Sequence, residues 1–87
     1  MVLFQKMLTI IEKNNMINRI GGLEHRIFNY IEETYQTKFL GEVHVHISPN
    51  CVYTLCIILN NIFNPIVMDF ECCNDEEFYQ KATKQLS

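Results

Sequence analysis

The chain has 87 residues, a net charge of −3 and an apolar fraction of 48%, with 20% charged side chains. That is enough for one domain with one core, and too apolar for a disordered chain. The longest unbroken apolar run is five residues, Leu55 to Leu59, far short of a bilayer span. The start shows no apolar signal-peptide core, so a cytoplasmic location is expected.

Charge is unevenly placed. Residues 1–42 carry five basic and five acidic side chains; residues 43–87 carry two basic and five acidic ones, all five acids within Asp69 to Glu77. A general nucleic-acid binder advertises a basic patch, and none is visible, so direct nucleic-acid binding is not expected. The four cysteines, at 51, 56, 72 and 73, lack a secretory context and read as reduced thiols.

Leu3, Phe4, Met7, Leu8 and Ile11 fall on one helical stripe. Lys13-Asn14-Asn15 is a stop signal, Met16 to Ile20 is ambiguous, and Gly21-Gly22 is the clearest break in this half. Leu23, Ile27, Ile31 and Tyr35 then recur every four residues, with Phe28 alongside, and Glu24, Arg26, Glu32 and Glu33 decorate the other face. The N-terminal half therefore holds one or two helices.

Val43, Val45 and Ile47 alternate with His44, His46 and Ser48, the period of a half-buried strand. Pro49-Asn50 marks a turn. Cys51 to Leu59, apolar on both parities, reads as a central strand. Asn60-Asn61 and Asn64-Pro65 bracket a second turn, and Ile66 to Cys73 alternates again, one face apolar and the other mostly acidic.

Register follows from the first loop. Two loop residues would pair Ser48 with Cys51. Three, Pro49 to Cys51, pair Ser48 with Val52 and gather Val43, Val45 and Ile47 with Tyr53, Leu55 and Ile57 on one apolar face. The three-residue loop is favoured, because it collects the larger side chains. It sets His44 opposite Cys56 and His46 opposite Thr54, with Asp69 and Glu71 on the same polar face.

Asn74 suits an N-cap, Glu77 stands at the capping-box position, and Cys73 with Phe78 offers a hydrophobic staple. Phe78, Ala82 and Leu86 mark a buried stripe, and Glu77 with Lys81 is an i,i+4 pair. The expected fold is α+β: one or two N-terminal helices, a three-stranded antiparallel meander and a C-terminal helix. The second and last helices cover one sheet face.

Three groups could carry function. Asp69, Glu71, Asp75, Glu76 and Glu77 would form an acidic docking surface for a basic or nucleic-acid-binding protein. The bland alternative is two outward strand positions followed by ordinary helix-start carboxylates. His44, His46 and Cys56 are the candidate metal ligands, with Asp69 or Glu71 as additional donors, although no CxxC or HxxxH spacing supports a site. His44 across from Cys56 could alternatively form a thiolate–imidazole dyad, but no oxyanion site, cleft or orienting third group is visible. No catalysis and no cofactor are expected. The stripe from Leu3 to Ile11 completes the core or pairs with a second copy of the chain.

Asn74-Asp75-Glu76-Glu77-Phe78-Tyr79 resembles the acidic, Phe-Tyr helix opening of small phage-encoded anti-CRISPR inhibitor proteins. The resemblance covers six residues. It implies a helix, a three-stranded antiparallel sheet and further helix. It also implies a non-enzymatic role: binding a CRISPR nuclease and blocking its access to DNA, in some members through acidic side chains.

Overall fold

The computed structural model describes the backbone of residues 2–60 and 64–87, and the side chains from residue 13 onward within those ranges. The chain makes a helix α1 (Val2–Tyr35), strands β1 (Gly41–Ile47), β2 (Val52–Leu59) and β3 (Ile66–Glu71), and a helix α2 (Asp75–Leu86). The sheet is antiparallel in the order β1-β2-β3. The fold is therefore α+β, in the order the sequence pattern indicates.

The register is the one favoured from the three-residue loop. His44 pairs with Cys56, Val45 with Leu55 and His46 with Thr54. The Ser48 N–H donates to the Val52 carbonyl at 2.9 Å, and the Ser48 hydroxyl accepts from the Val52 N–H at 3.2 Å. Cys51, the third residue of that loop, closes it with φ 62°. This left-handed conformation is unfavourable for a residue with a Cβ. Cys51→Gly is therefore expected to raise stability by about 1 kcal/mol, read as a higher urea midpoint at unchanged slope.

One face of the sheet is dry. Val43 and Val45 of β1, Tyr53, Leu55 and Ile57 of β2, and Cys72 beyond β3 are buried there, under Leu23, Ile27 and Ile31 of α1 and Phe78 and Ala82 of α2. Met68 and Phe70 pack at the margin. Alternation along each strand sends the opposite parity to the uncovered face. Gly41 enters β1 with its Cα so close to β2 that an added Cβ would stand 2.2 Å from the Ile58 carbonyl oxygen. A side chain there would push the first strand pair apart.

The N-terminal half differs from the expected pattern in one respect. α1 runs unbroken through Lys13-Asn14-Asn15 and Gly21-Gly22 for 34 residues. Its length, about 51 Å at the usual rise, sets the 52 Å long axis of the molecule. Glycine weakens a helix without interrupting its hydrogen bonds, and the packed turns from Leu23 onward carry the helix past the pair. Both glycines are exposed, and nothing stands within 4 Å of where a Cβ would project. Gly21→Ala and Gly22→Ala are each expected to stabilise the fold by about 1 kcal/mol, measurable as increased helical ellipticity and a higher thermal midpoint.

From residue 13 to Arg19 every position is exposed; Ile20 is the first to be partly covered. The stripe Leu3, Phe4, Met7, Leu8 and Ile11, expected either to complete the core or to pair with a second copy, lies outside the described side chains. The turn expected around Asn60-Asn61 falls partly on residues 61–63, also outside them. α1 ends by placing Gln36 at φ 50°, and the Thr37 N–H returns to the Glu32 carbonyl at 3.3 Å, a helix-closing motif that usually employs glycine.

Candidate functional site: the acidic end of the sheet and its helix

The five candidate acids divide between two elements. Asp75, Glu76 and Glu77 open α2, and each is engaged within the fold. Asn74 caps the helix, its side chain accepting from the Glu77 N–H at 2.8 Å. The Glu77 carboxylate reaches back to the Cys73 N–H at 3.0 Å and pairs with Lys81 at 3.0 Å. The hydrogen bond from the Cys73 backbone, followed by that from Lys81, lowers the Glu77 pKa. Cys73 itself is exposed and Cys72 is the buried member of the pair, so the expected staple between Cys73 and Phe78 lacks a buried Cys73.

Glu76 pairs with Arg26 of α1 at 2.8 Å, and the Arg26 guanidinium also lies 4.0 Å over the Tyr79 ring. Asp75 anchors the tightest polar cluster among the described residues. Its carboxylate accepts from Arg19 Nε at 2.6 Å and from Arg19 Nη2 at 2.5 Å, and from the Tyr53 hydroxyl at 2.6 Å. Arg19 Nη2 also donates to the Tyr53 oxygen at 2.8 Å. One residue from α1, one from β2 and one from α2 thus close a triangle over the rim of the core. The Arg19 hydrogen bond outweighs partial burial and holds the Asp75 carboxyl below the usual carboxylate range. Burial first, and the bond to Asp75 second, push the Tyr53 hydroxyl up.

Asp69 and Glu71 stand apart from this cluster. Both are exposed on β3 and project to the uncovered face of the sheet. Asp69 accepts from the Thr54 hydroxyl at 2.7 Å. Among the described residues no cation pairs with either carboxylate. A groove of ≈ 670 Å³ lies here, lined by Val52, Asp69, Phe70, Glu71 and Lys81.

The histidines share that uncovered face. Register puts His46, Thr54 and Asp69 in one row across the sheet, and His44, Cys56 and Val67 in the next. His44 Nε2 lies 3.4 Å from a Glu42 carboxylate oxygen on its own strand. Among the described residues no three of His, Cys, Asp or Glu converge as a metal-holding set. The four cysteines are free thiols, and burial pushes the Cys72 thiol up, away from the reactive thiolate.

Sequence reasoning misses the Arg19–Tyr53–Asp75 triangle. Arg19 falls in the stretch with no clear helical signal, and its partner lies 56 positions away. Glu24, Arg26 and Glu32, read as solvent-facing decoration, also make tertiary contacts. Glu24 accepts from the Val45 N–H at 2.8 Å and Glu32 from the Phe39 N–H at 3.0 Å. No helix among the described residues is both long and apolar enough to cross a membrane. Compared with known proteins, the chain matches no family model, no curated protein and no solved structure.

Proposed function

We propose that this protein is a non-enzymatic binding module. It engages a basic, nucleic-acid-binding protein through the acidic flank of its sheet and so blocks that partner's charged groove. The observation that carries this reading is the pair Asp69 and Glu71: exposed, on one face, and without an ion pair among the described residues. Carboxylates already neutralised inside a fold contribute little to a partner, whereas free ones supply both steering and complementarity. The resemblance at Asn74 to Tyr79 to phage-encoded anti-CRISPR inhibitors supports the same class of partner. A small inhibitor carried by a mobile element is the concrete form of the proposal.

A purified CRISPR nuclease loaded with guide RNA is the first partner to test, in competition against labelled target DNA. The protein is expected to displace DNA with a midpoint that rises with salt. The double charge reversal D69K/E71K is expected to lose displacement while melting within a few degrees of the parent, since both sites are exposed. A reversal variant that displaces DNA as well as the parent would remove the acidic-flank reading.

A further inference from the structure

The two edges of the sheet are finished differently. In an antiparallel pair the residues that exchange hydrogen bonds alternate with those whose N–H and C=O point away. The bonds from Ser48 N–H to the Val52 carbonyl and from Cys72 N–H to the Cys51 carbonyl fix that alternation. Residues 66, 68, 70 and 72 face β2, and the backbone groups of Val67, Asp69 and Glu71 point outward from β3. On β1 the outward parity includes Val45, and its N–H is taken by Glu24 of α1. Val43 and Val45 are also buried beneath α1, so the helix covers this edge. On β3 the Lys81 ammonium reaches the Glu71 carbonyl at 2.9 Å. Among the described residues no other side chain bonds to the outward backbone groups of this strand. Val67 is 57% exposed and Ile66 45%.

An uncovered edge is a template for another strand. We infer that β3 is a docking edge for an extended segment of a partner protein whose sequence alternates basic and apolar residues. The charge of the edge selects that occupant. Val67, Asp69 and Glu71 present two carboxylates to the uncovered face, and Met68 and Phe70 present apolar surface to the covered one. A strand laid alongside has the same period of two, so cations on one parity meet Asp69 and Glu71 while apolar residues on the other extend the core margin. A second copy of this chain fits poorly in the register centred on Asp69. Symmetric pairing of two β3 edges about Asp69 would set Asp69 against its own copy, and like charges directly opposite are destabilising. This inference rests on the acidic-flank reading and adds to it the backbone as the recognition element.

The test uses the full chain, labelled with ¹⁵N, and three synthetic octapeptides. The first is (Val-Lys)₄, the second is the same peptide N-methylated at alternate residues, and the third is (Val-Glu)₄. The first is expected to shift and protect the Val67, Asp69 and Glu71 amides. The second keeps the charge but loses half its donors, and is expected to bind about tenfold more weakly. The third is expected not to bind. Equal binding of the first two, with no amide protection, would overturn strand addition and leave the acidic flank standing as a charged surface. Absence of binding by all three would overturn both. Protection of these amides in the free protein, growing with its concentration, would assign the edge to a second copy and overturn the inference.

Discussion

Phe78→Ala is expected to cost about 3–5 kcal/mol, the top of the range for truncating a core side chain. Phe78 is fully buried and is the first apolar residue of α2. Its ring stacks on Tyr53 with centroids 4.9 Å apart and meets the edge of Phe70 at 5.8 Å. It is therefore the point where α2 holds both β2 and β3. Truncation removes the transfer free energy of the ring and leaves a cavity whose walls, two strands and a short helix, cannot close over it. A domain of this size has a total stability of roughly 5–10 kcal/mol, so the variant should lose about half of it. Calorimetry or urea titration reads this directly. A loss below about 1 kcal/mol would place the ring outside the core.

Asp75→Ala is expected to cost about 2 kcal/mol at neutral pH, since charge-assisted hydrogen bonds contribute roughly 1.5–3 kcal/mol. The lower part of that range applies because the Asp75 side chain is 30% and the Arg19 side chain 41% exposed, so water screens the pair. Two donors, Arg19 and the Tyr53 hydroxyl, lose their acceptor together. The same pair predicts a pH dependence. The folded-state pKa of Asp75 is depressed, so its contribution is fully present above its unfolded pKa of about 4. It is lost as pH falls through the folded value. Stability of the parent should fall on acidification more steeply than that of Asp75→Asn. Parallel acid limbs for the two proteins would show that the triangle contributes nothing in solution.

The sheet is legible in the sequence because three signals agree: alternation in Val43 to Ile47, turn residues at Pro49-Asn50, and the gain from burying Tyr53, Leu55 and Ile57 beside Val43 and Val45. Register follows once loop length is chosen, since a slip of one residue would turn the whole apolar set to solvent. α2 is equally legible from its cap and its Phe78–Ala82 stripe. Gly21-Gly22 misleads because glycine is read as punctuation. Its actual penalty, about 1 kcal/mol per residue, is smaller than the packing free energy of the turns that follow. Local pattern does not reveal the long-range polar contacts. Glu24 and Arg26 look like an ordinary solvated helix face, and Arg19 lies in a stretch without a clear helical signal, until β1, β2 and α2 are set against them. The acidic run Asp69 to Glu77 shows the same limit. The pattern already separates two outward strand positions from three helix-start carboxylates, as the structure has them. It does not show the pairing of Asp75 and Glu76 with Arg19 and Arg26 of α1, which leaves Asp69 and Glu71 apart.

That division is the central claim, and it is tested by the midpoint of displacement of target DNA from a guide-loaded CRISPR nuclease. Two double variants, D69N/E71Q and D75N/E77Q, are compared below both melting temperatures. The predicted result is that D69N/E71Q loses displacement while D75N/E77Q keeps the parent's midpoint. The opposite pattern, displacement lost with Asp75 and Glu77 and retained without the charges of Asp69 and Glu71, would contradict it.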